Sequence, residues 1–440
     1  MTTSLSKSSR YVVLFTAIGA LLFDGLELGL MPVASLSVSQ SLLGDAFTPA
    51  LGGDWFARFT ATLMLGAAVG GIFLGSLGDR IGRTRALGVS VLFYSCFAGL
   101  GAFVKTQEQM LALRFLVGLG VGGVWPNAVA LAVECWPDKS RPIIAGLMGA
   151  ALNGGILMLS QIARTWHITP ESWRWIFQIA AAPAVLGLLA LTVIPESPLW
   201  LASRRSRRES APSSGTGKAS GLTSAGLSSR GNGCDSMSPL RELFRPPLLR
   251  LTLIGILIGS IPMVGAWAAS KWMIPWADKV GGATEAGYKA ITQGWWALGA
   301  VLGSFFGAQI AAWLGRRRAY AIISAATTVL TSLMFLGTAP LQASFLPIVF
   351  AQGFVATLFF GWLPLYLPEL FPTHIRAAGS GIAYNVGRFA TALGVLAAGA
   401  LFAAMGGSYP KVGATCGLIY LLGLIVIWWA PDTTGKSLDS

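Results

Sequence analysis

The chain holds twelve separate apolar runs, near 11–33, 55–77, 86–104, 110–133, 143–163, 175–194, 248–270, 290–313, 319–338, 344–367, 379–404 and 412–430. A helix of roughly 20 apolar residues matches the hydrocarbon thickness of a bilayer. Inside lipid only helices and closed barrels satisfy every backbone N–H and C=O. Six runs precede residue 200, six follow residue 247, and a long polar stretch lies between. The pattern predicts an all-α membrane protein of twelve transmembrane helices. They form two six-helix pseudo-symmetric halves, 1–202 and 248–440, joined by a flexible linker over 203–247. Composition agrees: 54% of the 440 residues are apolar and 11% charged, with a mean hydropathy of +0.66. A soluble domain carries about 25% charged residues, so this surface is expected to face lipid.

The linker's middle, APSSGTGKASGLTSAGLSSRGNG, has too little apolar surface to offset the entropy of ordering it. Residues 239–245 read as a short surface helix leading into span 7. With the N-terminus inside, inner segments hold 21 of the 31 Lys and Arg and outer loops 7. That bias predicts a multi-pass protein of the inner (plasma) membrane with both termini cytoplasmic. It also accounts for most of the +13 net charge, so no nucleic-acid partner is needed. The first run is of span length and lacks a small-residue cleavage site, so no cleavable signal peptide is expected. The four cysteines, Cys96, Cys135, Cys234 and Cys416, lie far apart, and both histidines, His167 and His374, fall in loops. No metal site, cofactor or nucleophile–histidine pair is expected, and the chain is not read as an enzyme.

Residues 368–388 read PELFPTHIRAAGSGIAYNVGR, and 134–141 read ECWPDKSR. Glu134 to Arg141 and Glu369 to Arg376 have the same separation, with an aromatic-proline pair between, which suggests an internal duplication. GSLGDRIGRTR at 75–85 follows span 2 and places Asp79 among Arg80, Arg83 and Arg85. A carboxylate there can pair with an arginine or face a helix N-terminus, and so latch two rigid bodies.

GSLGDRIGRTR resembles the helix 2–3 signature of the major facilitator superfamily. PESPLWL (195–201), PELFPTHIR (368–376) and PDTTGKSL (431–438) resemble signatures of its sugar-porter and metabolite:proton symporter branches, in the correct order along the chain. Leu199 stands where those branches usually have arginine. The resemblance implies two six-helix halves around one central cavity, alternating access, and an inner gate. Gate residues would be Asp79, Arg80, Arg83, Glu134, Arg141, Glu369 and Arg376, with the start of helix 11 as the partner of Asp79 and Arg83. In the second half Ala312 stands where the counterpart of Asp79 belongs, so a strong latch is expected on the first half and a weak one on the second. Span 5 lacks the glycine-proline pair of drug antiporters, which disfavours multidrug export.

Charges inside spans are costly unless they face water or a partner. Asp24 and Glu27 lie three apart in span 1 and so near one face. Both are proton-coupling candidates. Arg388 lies about 15 Å into span 11 and is the candidate for the substrate's anionic group, with Asn385 adding a directional hydrogen bond. Arg114 is a candidate for a buried ion pair with Glu27 or Asp24. Asn127, Trp125, Asn153, Gln161 and Gln293 are further cavity candidates, each equally readable as a packing residue. Lys271, at the outer end of span 7, reads as a charge snorkelling to the interface, with an entrance charge as the alternative.

The expected function is secondary active transport of a small organic solute by a monomer. The substrate is read as an aromatic, short-chain carboxylic or sialic acid imported with protons. The alternatives are a sugar or polyol porter and, in a different class, a non-transporting membrane sensor.

Overall fold

A computed structural model describes residues 5–136, 141–209, 242–246, 248–372 and 375–434. Cys234, His374, the linker's middle and the side chain of Arg141 lie outside the described residues. Among the described residues there is no strand, and twelve helices are long and apolar enough to cross a membrane. They are α1 (Lys7–Ala46), α2 (Pro49–Ile81), α3 (Arg83–Phe103), α4 (Gln107–Cys135), α5 (Arg141–Thr165) and α6 (Arg174–Thr192). The second set is α7 (Leu248–Gly281), α8 (Tyr288–Leu314), α9 (Arg316–Gly337), α10 (Phe345–Glu369), α11 (Arg376–Ala404) and α12 (Tyr409–Trp429).

Two spans run well past their apolar stretches. α1 continues through Ser35, Ser37 and Ser39 because these face protein and not lipid: Ser37 Oγ donates to the Ile168 carbonyl, and Gln107 donates to that of Ser39. α7 continues to Gly281 and changes pitch on the way. A π turn at Gly265–Ala269 and a 3₁₀ turn at Ser270–Trp272 interrupt it. A surface helix, Pro198–Glu209, enters the stretch assigned to the linker, so residues 203–209 are helical.

The halves are built alike. In the first, α2 packs on α4 and α1 on α5; in the second, α8 packs on α10 and α7 on α11. Glycines set these crossings. A Cβ on Gly66 or Gly70 would meet the carbonyls of Phe115 or Leu119, and one on Gly299 or Gly303 those of Phe350 or Phe354. Small residues four apart let helix backbones approach this closely. Gly82 and Gly315, both at positive φ (113° and 82°), make the matching α2–α3 and α8–α9 turns.

α2 with α11, and α5 with α8, join the halves. On the face opposite the chain termini the joint is sealed. Trp272 stacks on Phe402 (ring centroids 5.0 Å apart) and meets Phe56 edge-on at 5.2 Å. Lys289 Nζ donates across to Ser37 Oγ at 3.1 Å and to Asp278 at 3.0 Å. On the termini face a cleft of about 630 Å3 separates Trp125 and Pro126 of α4 from Pro364, Pro368 and the start of α11. That cleft shares Trp125, Tyr384 and Arg388 with the cavity between the halves, whereas the pocket on the opposite face, bordered by Ser37, Asp278 and Lys289, shares no residue with it.

Candidate functional site: a charged cavity between the halves

A central cavity lies between the halves. The first half contributes Asp24, Trp125 and Asn153; the second contributes Trp267, Lys271, Trp296, Ser304, Thr357, Tyr384 and Arg388. Its charged lining residues are Asp24, Lys271 and Arg388. The negative charge comes from the first half and both positive charges from the second.

α1 sends its two acids to different partners. Gly25 lies against the Leu152 carbonyl of α5, and a Cβ there would collide with it. Asp24 borders the cavity, as does Arg388, and its Oδ1 has no hydrogen-bond partner. Glu27, about 60° away around the helix, turns to α4 and accepts from Arg114 Nη1. That pair is fully buried, at 1% and 0% exposure, and the guanidinium also lies 5.5 Å from the Phe177 ring. The expected ion pair of Arg114 is therefore present, with Glu27 as its partner. The two acids, though three apart and near one face, thus take different partners.

Arg388 spans the joint. Its Nη1 donates to the carbonyls of Ala67 (3.0 Å) and Gly122 (3.4 Å) in the first half, and its guanidinium lies 5.3 Å from the Tyr384 ring. Gly71 makes room: a Cβ there would meet Asn385 and Arg388. Asn385 lines the termini-face cleft, and its Nδ2 donates to the Gly381 carbonyl. Asn153 donates to Ser304 Oγ at 2.8 Å across the halves.

Lys271 is not at the interface. The span extends ten residues beyond it, and the π and 3₁₀ turns carry it inward, where it is 1% exposed. Its Nζ lies 3.4 Å from the centroid of the Trp296 ring and has no hydrogen-bond partner. Trp296 is fixed by its own N–H, which donates to Gln352 Oε1 at 2.7 Å; Gln352 donates in turn to Ser270 and Thr331. Gln352, a lone amide in the apolar run 344–367, gave the same signal as Gln293 and was passed over.

Three cavity candidates lie elsewhere. Gln161 is exposed in a lateral groove between α5 and α8, because its helix face points outward. Asn127 is turned into the first half, donating to the carbonyls of Leu74 and Gly123. Gln293 is buried and donates to Ser160 Oγ at 3.1 Å, tying α8 to α5.

The motif residues form one cluster per half on the termini face. Arg83 bonds Asp79 at 2.6 Å and Glu134 at 3.0 Å, and Ser197 Oγ also donates to Glu134. Glu196 caps α3 by accepting from the Thr84 N–H, and the Trp200 indole N–H donates to the Asp79 carbonyl. In the second half Arg316 donates twice to Glu369, at 3.1 and 2.8 Å, and Thr433 Oγ1 donates to the same carboxylate. The Trp362 indole N–H donates to the Arg316 carbonyl. The second cluster is thus not weak: its ion pair is bidentate and more buried than that of Arg83 with Glu134. Arg80 is exposed, and Arg376 Nε donates to the Phe371 carbonyl. Asp79 is 64% exposed and pairs with Arg83, not with α11, because the halves stand apart on this face. Asp432, beyond the last span, accepts from the Thr434 hydroxyl and N–H, which hold its carboxyl below the usual range.

Two matched helical halves around one charged cavity, open to a single face, define a membrane carrier with its binding site at the joint. The chain belongs to the sugar (and other) transporter family, whose profile matches residues 13–440, within the major facilitator superfamily. It is 28% identical to the cis,cis-muconate transport protein of Acinetobacter baylyi, over 92% of this chain and 90% of that one. It is 26% identical to the gallate transporter of Pseudomonas putida (93% and 89%) and 26% identical to the arabinose-proton symporter of Bacillus subtilis (86% and 84%). The fold is similar to that of the xylose transporter XylE from E. coli in an inward-open conformation, with a TM-score of 0.70 at 18% identity over 98% of both chains. The protein is a secondary transporter of a small organic solute.

Proposed function

We propose that the chain imports a small organic acid with protons across the inner (plasma) membrane, as a monomer with both termini cytoplasmic. The observation that carries this reading is the cavity's charge inventory: one carboxylate, Asp24, facing two cations, Arg388 and Lys271. A neutral sugar needs no such excess of positive charge, whereas an anion neutralises it. Relatives that carry muconate and gallate support the acid reading over the sugar reading.

Asp24 is the proton carrier. Ionised, it compensates Arg388; protonated, it releases that charge to the substrate. Glu27 has a structural role, since Arg114 already holds it. Asp79, Arg80, Arg83, Glu134, Arg141, Glu369 and Arg376 belong to the cytoplasmic gate. When the chain opens the other way, Asp79 would engage α11.

Purified protein in proteoliposomes, with an imposed pH gradient, tests the reading. Gallate and cis,cis-muconate should accumulate, and accumulation should collapse with the gradient. Asp24→Asn should abolish accumulation while leaving substrate exchange at zero gradient. Acid equilibration that ignores the gradient would refute proton coupling, and uptake of arabinose alone would refute the acid.

A further inference from the structure

Lys271 is a buried ammonium with no carboxylate and no hydrogen-bond acceptor beside it. Arg388, the other cavity cation, is already engaged by two backbone carbonyls. A charge excluded from water is costly unless something compensates it. The ring face of Trp296 is a partial compensation, and Trp267, 5.8 Å from Nζ, adds a second aromatic wall. The Gln352 bridge holds Trp296 in place. The pitch change in α7 places Nζ in the cavity and not at the lipid surface.

We propose that Lys271 is the anchor for the substrate's carboxylate, and that the tryptophans around it select acids with a flat, unsaturated or aromatic frame. This rests on the organic-acid reading above and names its substrate class. The carboxylate pairs with Nζ, and the frame lies along the indole walls. Its far end points toward Arg388. Arg388 lines the same cavity, so a small planar acid carrying a polar group opposite its carboxylate would meet both cations. Ser304, Thr357 and Asn153, on the cavity wall, are hydrogen-bonding partners for hydroxyls.

The test compares benzoate with benzamide and gallate with its amide, with arabinose as the neutral control. Tryptophan fluorescence and thermal stabilisation of the purified full chain report binding. The wild type should bind each acid at least ~30-fold more tightly than its amide, the factor expected from a desolvated charge pair. Lys271→Met should bind acid and amide alike. Lys271→Gln, which keeps length and polarity, should do the same and serves if the methionine variant does not fold. A variant that keeps the acid preference within threefold of wild type overturns the anchor and leaves the organic-acid reading standing. A wild type that does not discriminate acids from amides overturns both.

Discussion

The Glu27–Arg114 pair separates a structural acid from a coupling acid. In Glu27→Gln the arginine stays buried at 0% exposure without its counter-charge. Breaking a buried pair from one side costs about 3–5 kcal/mol. The lower end applies, because the bond uses Nη1 alone: Arg114 Nε and Nη2 and Glu27 Oε2 are already unpartnered. The Phe177 ring at 5.5 Å retains up to about 2 kcal/mol of cation–π attraction, the value for a desolvated cation. A net loss near ~3 kcal/mol is therefore expected in detergent unfolding of Glu27→Gln. Arg114→Met should lose about the same, since it strands the carboxylate. The double variant Glu27→Met/Arg114→Met removes both charges and should recover most of that loss, as replacement of buried pairs by apolar residues often does. Uptake by the recovered double variant is the decisive measurement: it should still accumulate gallate when a pH gradient is imposed. A stable double variant that exchanges substrate but no longer accumulates it would place Glu27 in the coupling step and refute the division of roles within α1.

Three further outcomes follow from packing and charge. Gly155→Ala should cost about 1–3 kcal/mol and reduce uptake, because its Cβ would collide with the Leu22 carbonyl of α1; Gly154→Ala, which meets nothing within 4 Å, should match the wild type in both thermal stability and flux. Arg316→Ala removes two charge-assisted hydrogen bonds to Glu369 and should destabilise the chain by about 3 kcal/mol in chemical unfolding. Gly53→Leu drives a side chain into Phe402 at the sealed face. With the native cysteines replaced, Ser304→Cys in the cavity should then react from that face with an impermeant thiol reagent, and should be protected when Gly53 is restored.

The frame was legible in the sequence because lipid imposes a composition that protein-facing surfaces do not. Twelve apolar runs give twelve spans, and the duplicated Glu-to-Arg phrase marks corresponding ends of α4–α5 and α10–α11. The ends of α1 and α7 were less legible: Ser35, Ser37, Ser39 and Lys271 interrupt the apolar pattern yet face protein. Lys271 was misplaced for a specific reason. A uniform helical pitch ending near residue 270 sends it to the interface, and the π turn at Gly265–Ala269 carries no plain sequence signal. Asp24, Trp125, Asn153 and Arg388 were found because polar or amphipathic side chains are rare in spans and lining a cavity is one way to accommodate them. Gln161, Asn127 and Gln293 met the same criterion and went elsewhere. Their orientation depends on which neighbouring helix crosses at that height, and no single-span pattern records that.

What the halves share builds the frame, and what they do not share builds the cavity. Arg83, Glu134 and Ser197 have counterparts in Arg316, Glu369 and Thr433, down to a hydroxyl donating to each glutamate. The position matching Arg388 in the duplicated phrase is Asn153, so one end of that pair carries a charge and the other does not. The first half offers the cavity a carboxylate, and the second offers two cations. On the proposed reading this opposition is itself the coupling device. Rocking the halves apart works against the attraction of Asp24 for Arg388, so the ionised, empty carrier resists the transition. A proton alone removes the attraction but leaves two uncompensated cations in a dry cavity. A substrate anion alone offsets one cation but leaves the attraction of Asp24 for Arg388 across the joint in place. Proton and anion together relieve both penalties, so the doubly loaded carrier crosses most readily, and symport follows from where the charges sit on the two sides of the joint.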